Sequence, residues 1–140
     1  MADGLLVAKA EIIARCVERA WEEYRSEPAS FAMDMSRQDA AILNITRACS
    51  AALAMGEHLV RRENLGIPKS AIDVFELLHC CGWLEARLLP VMKDMVRFRY
   101  VAVHQYQTLQ LPGTVAIITQ HLGDFILFSS AVLRRDAGAQ

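Results

Sequence analysis

The 140-residue chain lacks the usual marks of a metal-binding, secreted or membrane-spanning protein. Its four cysteines, Cys16, Cys49, Cys80 and Cys81, form no CxxC pair. No histidine spacing completes a zinc site, so no metal and no cofactor is expected. Buried, reduced thiols account for all four cysteines, the vicinal Cys80-Cys81 included, because a free cysteine packs as a small hydrophobe. No basic start runs into a long apolar stretch, so no secretory signal is read and the cytoplasm is the expected compartment. Residues 100–123 hold no Asp, Glu, Lys or Arg, yet Pro112, Gly113, four Gln and two His argue against a membrane span. The net charge is -1, which forces no broad basic face, so DNA is not an expected partner. Any nucleic-acid contact must be local or assembled from two chains. No repeat, low-complexity tract or internal boundary is visible, so residues 1–140 read as a single domain, long enough to bury a sizeable core.

What is present is apolar periodicity. Hydrophobic residues make up 54% of the chain against 22% charged, a mild excess that hints at surface hidden against a second copy. The spacing predicts an all-α fold of about five helices and no strand. The first runs from about Leu5 to Arg25, with Leu6, Ile13, Val17, Ala20 and Tyr24 inward and Pro28 ending it. The second opens at Ser36, whose hydroxyl and the Asp39 carboxylate suit a helix start. Its stripe is Ile42, Ile45, Cys49, Ala52, Gly56 and Leu59, and it stops near Asn64. The third begins at Pro68-Lys69-Ser70, with Ser70 and Asp73 as a second cap. Its inward residues are Ala71, Val74, Phe75 and Leu78, and Gly82 suits the left-handed position after its end. The fourth spans about Glu85 to His104, either starting after Pro90 or kinking there. The fifth runs from about Gly113 to Arg134, with residues 136–140 as a frayed tail. Short loops imply antiparallel neighbours in a bundle.

Chemistry concentrates in the fourth helix. Its inward stripe reads Leu89, Met92, Val96, Arg99, Val103, so a guanidinium stands where the pattern expects an apolar side chain. Such a group needs a carboxylate, a carbonyl or a phosphate, unless its stem packs while its head reaches solvent. His104 follows five residues on, about 140° around the helix from Arg99. The two converge on one cleft only if the helix ends or unwinds near His104. Lys93, Arg97 and Tyr100 lie along the line of His104. From Ala86 to Tyr106, Arg87, Lys93, Arg97 and Arg99 face only Asp94, making this stretch the best anion site in a slightly acidic chain. Among the other residues, His58, His79 and His121 read as helix-edge residues. Trp21 and Trp83 read as core or interface residues, and Met33, Met35, Met55, Met92 and Met95 as packing, with a chain–chain seam as one alternative place for Met92 and Met95.

Arg99-Tyr100-Val101-Ala102-Val103-His104 fits the R-x4-6-H pattern, and with Tyr106 it becomes R-x4-H-x-Y. Arg37-Gln38-Asp39-Ala40-Ala41-Ile42-Leu43-Asn44-Ile45, Leu65-Gly66-Ile67-Pro68-Lys69-Ser70 and Met95-Val96-Arg97-Phe98-Arg99 accompany it. In these segments the chain resembles the HepT-type ribonuclease toxins of the HEPN superfamily, from about Ala8 to Val132. The resemblance implies a HEPN-like helical bundle that forms a homodimer, with the motifs of two chains facing one cleft. It implies metal-independent cleavage of RNA by Arg99 and His104. It also implies a small nucleotidyltransferase antitoxin of the MntA type as partner, which silences the enzyme by adenylylating Tyr106. Lys93, Arg97 and Tyr100 are then the candidates for RNA contact. His104 can serve as base, acid or phosphate ligand. Tyr100 stands where such proteins usually carry a small polar residue. That motivates the alternative of a catalytically inert HEPN subunit that binds a nucleotidyltransferase or presents its substrate.

Overall fold

A computed structural model describes residues 2–138. Among them are seven α-helices, one 3-10 turn and no strand. The helices are α1 (Gly4–Arg25), α2 (Pro28–Phe31), α3 (Met35–Arg62), α4 (Ala71–Cys80), α5 (Leu88–His104), α6 (Leu111–Gln120) and α7 (Leu122–Gly138), with the 3-10 turn at Tyr106–Thr108 between α5 and α6. The starts follow from local chemistry. Asp3 accepts from the amides of Leu5 and Leu6 at 3.0 and 3.3 Å, satisfying donors that the first turn of α1 leaves orphaned. At α4 the Ser70 hydroxyl accepts from the Asp73 amide while the Asp73 carboxylate accepts from the Lys69 amide, a reciprocal cap of the kind the sequence signalled. The cap of α3 is Asp34, which accepts from the Arg37 amide at 3.1 Å, and not Ser36, which lies inside the helix. Asp39 is thereby released from any capping duty.

α1 lies along α3, and α7 packs against both. The long apolar stripe of α3 is buried throughout, from Ile42 to Leu59. Gly56 permits the close approach of α4: a Cβ there would sit 2.8 Å from Val74 Cγ1. Phe75 and Phe128 meet edge to face at 5.7 Å in the centre of the core. Arg37 ties the α1–α2–α3 corner together. Its guanidinium donates to the carbonyls of Glu23, Tyr24 and Glu27 and to the Ser30 hydroxyl, satisfying carbonyls that the end of α1 leaves open.

Several expectations are corrected. The single helix over 113–134 is two helices that meet at His121 with a 49° bend. The tail is ordered through Gly138: Asp136 is buried and pairs with Arg62 at 2.8 Å, so a docked carboxylate replaces fraying. Residues 139–140 lie outside the described part. α5 starts at Leu88 with Pro90 in its first turn, where a missing N–H costs nothing. Cys80 and Cys81 are exposed, because the turn after α4 carries them off the core, while Cys16 and Cys49 are buried. Met92 and Met95 are core residues, not seam residues, since they point at the interior from α5. Trp83 is buried under the Arg135 guanidinium, 4.1 Å from its ring centre. Among the described residues no single helix is long and apolar enough to cross a membrane, the uncharged stretch being divided among α5, the 3-10 turn and α6.

Candidate functional site

α5 buries Leu88, Met92 and Met95, at spacings of one helical turn. Arg99 is the next position on that line. The inward face is therefore rotated slightly from the stripe read in the sequence: Leu89 and Val96 are half-buried, and Val103 is 52% exposed. Arg99 itself is half-buried, and its Nε donates to Ser50 Oγ on α3 at 2.7 Å. Among the described residues that is its only hydrogen bond, and no carboxylate pairs with it. A guanidinium carries five donors, so the remaining four are open to an anion. Cys49 precedes Ser50 on α3 and is buried. Burial pushes the Cys49 thiol up to about 12, and the nearby Arg99 charge pulls the other way.

His104 is the last residue of α5 and is exposed. The helix remains intact through it, so it does not swing round to Arg99. Among the described residues no hydrogen bond or ion pair joins the two. His104 instead packs against Tyr100 one turn earlier in a tilted contact, with ring centres 4.7 Å apart and planes inclined by 46°. Tyr100 is itself 55% exposed.

Tyr106 opens the 3-10 turn, and its hydroxyl donates to Asp39 Oδ1 on α3. Burial first, and then the hydrogen bond and negative charge of Asp39, push the phenol up to about 12. Tyr106 borders a cavity of about 310 Å³ between α3 and the start of α6, and a second one between α3 and the end of α5. Around the second stand Leu43 and Val103, both about half exposed.

Lys93 and Arg97 are engaged elsewhere. Lys93 pairs with Glu76 of α4 at 2.6 Å, and Arg97 with Asp94 at 2.8 Å. Both stand on other sides of α5 from Arg99. The structure thus joins Arg99 to Ser50, His104 to Tyr100 and Tyr106 to Asp39, and it leaves these three groups separate at one end of α5. Ser50 and Asp39 were missed in the sequence, where one reads as an ordinary helix serine and the other as a capping carboxylate. Among the described residues no group of three or more His, Cys, Asp or Glu side chains is gathered as a metal centre would need.

A helical bundle, without strands among the described residues, that carries an arginine and a histidine near the end of its fifth helix and a tyrosine in the turn beyond it fits a HEPN-type protein. The ribonuclease HepT-like family profile matches residues 11–132, and the chain belongs to that family. It is 35% identical over 130 residues to the mRNA nuclease HepT of Shewanella oneidensis, covering 93% of this chain and 97% of that one. Among solved structures it is similar to the tri-AMPylated Shewanella oneidensis HEPN toxin in complex with its MNT antitoxin, with a TM-score of 0.88 at 35% identity over 93% of this chain and 97% of the other. It is equally similar to a toxin–antitoxin complex with AMP-PNP, with a TM-score of 0.88 at 34% identity over 93% and 98% of the two chains.

Proposed function

We propose that the chain is the endoribonuclease toxin of a toxin–antitoxin pair, acting in the cytoplasm, with Arg99 and His104 as its catalytic residues. The observation that carries the assignment is Arg99, a half-buried guanidinium fixed by one neutral hydroxyl and otherwise unpaired among the described residues. A group so placed is ready for a phosphate. RNA cleavage without a metal needs two things. The ribose 2′-hydroxyl must lose its proton as it attacks phosphorus, and the 5′-oxygen must gain one as it leaves. A histidine carries protons at neutral pH and typically contributes about 10²–10⁴-fold. An arginine fork spreads the charge of the pentacoordinate phosphorus over two hydrogen bonds. DNA lacks the attacking hydroxyl and is not a substrate.

Within one chain Arg99 and His104 point to different sides of α5. Two copies resolve this, because a two-fold partner sets its own α5 beside the first, and Arg99 of one chain then meets His104 of the other. The exposed Leu43, Tyr100 and Val103 are the apolar surface available for that seam. The doubled positive charge also answers the weak net charge of the chain. The proposed partner is a nucleotidyltransferase antitoxin that adenylylates Tyr106, placing bulk and an anionic phosphate where an RNA phosphate must bind. Labelled RNA incubated with chelator is the test: the wild type cleaves, and His104→Ala and Arg99→Ala lose at least about 10³-fold. Equal cleavage by all three rejects the assignment.

The contact between Tyr100 and His104 favours a second reading, an inert subunit serving the nucleotidyltransferase, since a ring packed on the imidazole restricts its approach to RNA. A wild-type protein without cleavage supports that reading; cleavage gained in Tyr100→Asn traces the loss to this contact, and none gained means that the chain lacks more than access to His104.

A further inference from the structure

Asp39 is the carboxylate that holds the Tyr106 hydroxyl, and the two are 67 positions apart in the chain. Asp39 stands on the second turn of α3, clear of the helix cap, which Asp34 supplies. Its position therefore serves Tyr106 and not the helix end. The surroundings of the phenol contain no other proton acceptor of comparable strength. From α3 the two bordering cavities receive Gln38 and Thr46, from α5 Ala102 and Val103, and from the start of α6 Leu111 and Thr114. All of these are uncharged, so Asp39 is the single ionisable acid or base beside Tyr106 among the residues lining both cavities.

We infer that Asp39 is a catalytic residue for nucleotide transfer onto this chain, orienting the Tyr106 hydroxyl and accepting its proton as the new bond forms. The inference rests on the reading of Tyr106 as the adenylylated residue. In the step, Tyr106 Oη attacks the α-phosphorus of a nucleoside triphosphate. The bond from that phosphorus to the bridging α–β oxygen breaks, and pyrophosphate leaves with the electron pair. The phenolic proton passes to Asp39 Oδ1.

Two facts give the step its physical basis. With the proton directed at Asp39, the lone pairs of Oη are left for an incoming phosphorus, and Tyr106 is 41% exposed beside two cavities. Ionisation in advance of attack is the poorer route. A phenol pushed up to about 12 is ionised in only about one molecule in 10⁵ at neutral pH. The acidity of the phenol rises steeply once its oxygen bonds to phosphorus. A carboxylate too weak to ionise it in the ground state then becomes an adequate acceptor in the transition state.

The test compares wild type with Asp39→Asn in reactions containing ATP, magnesium and the nucleotidyltransferase, with transfer followed by intact mass. The asparagine amide still accepts a hydrogen bond from Tyr106 but takes no proton. Its initial rate is expected to fall by about 10²–10³-fold. Its rate should also climb about tenfold per pH unit, as reaction through phenolate requires, while the wild-type rate stays nearly level from about pH 6 to 9. A rate for Asp39→Asn within about threefold of wild type, with the same pH profile, overturns the inference and leaves the adenylylation reading intact. Wild type that is never modified overturns both. A readout without the partner covers any loss of docking: the Tyr106 contribution to the ultraviolet titration, isolated by subtracting Tyr106→Phe, should move down toward the ordinary phenol range in Asp39→Ala. No movement means the carboxylate does not hold the hydroxyl in solution and also overturns the inference.

Discussion

In the proposed function Arg99 receives a phosphate, and a single neighbour, Ser50, sets its guanidinium. Ser50 takes one N–H and supplies no charge, so the guanidinium keeps its full positive field for a ligand. In that role its planar fork is the essential property, and a lysine ammonium of similar charge is a point charge without the rigid pair of parallel donors that matches two phosphate oxygens. Arg99→Lys is accordingly expected to lose at least about 10²-fold in RNA cleavage. Ser50→Ala, which only frees the guanidinium to wander, should cost about tenfold. Single-turnover assays on the two variants separate these effects, and a lysine variant of wild-type rate contradicts the proposed role of the fork. Legibility was uneven at this scale. Arg99 broke an apolar stripe, and a visible break in a pattern is the kind of signal one sequence carries. Ser50 and Asp39 broke nothing, because a serine within a helix and an aspartate near a helix start are both ordinary.

The helices themselves were mostly legible as elements. The α3 stripe from Ile42 to Leu59 and the Ser70–Asp73 cap follow from spacing and local hydrogen bonding alone. The break at His121 did not, because both α6 and α7 carry apolar faces that fit one continuous helix. Only the direction of the core on either side bends the chain there. The α3–α4 crossing yields a prediction at this scale. In Gly56→Ala, the gain in helix propensity, about 1 kcal/mol, competes with a methyl forced against Val74, which is only 2% exposed. Overpacking a rigid core costs about 1–3 kcal/mol, so the substitution should lower stability by about 1 kcal/mol and Tm by about 3–6 °C in a thermal melt. An unchanged or higher Tm shows that α4 gives way.

At the scale of the whole molecule, the start of α1 and the last turns of α7 are clamped together through the end of α3. The Asp3 carboxylate bonds His58 at 2.6 Å and Arg62 at 3.0 Å, and Arg62 also reaches Asp136 near the end of α7. The bond from His58 chiefly, aided by the Leu6 amide and Arg62 and opposed by burial, lowers the Asp3 carboxyl from 3.8 to about 2. A carboxyl depressed in the fold adds stability above its unfolded value, and that stability disappears as pH falls from about 4 to about 2. Asp3→Asn keeps the helix cap but not the charge. It should be less stable near neutral pH by about 1 kcal/mol and lose less between pH 4 and 2. Urea melts at several pH values measure this, and parallel acid limbs for both proteins refute it. A second prediction concerns the proposed dimer. Mixing Arg99→Ala with His104→Ala chains creates hybrids with one intact site, so cleavage should return to about a quarter of wild type if half the dimers are hybrid. No recovery after exchange of subunits means that each chain uses its own pair.

The amino-acid sequence alone determined the long helical segments, where α1 and α4 begin, and that an arginine and a histidine stand near the end of one helix with a tyrosine two residues beyond it. Those features depend on neighbours within about one or two turns, where spacing and hydrogen bonding act directly. Tertiary structure alone decided that Asp39 meets Tyr106, that Ser50 meets Arg99, and that Asp136 docks and does not fray. Each is a contact between residues far apart in the chain, made when apolar faces pack. Hydrophobic burial fixes how α3 lies against α5, and the polar partners come to rest wherever that packing carries them.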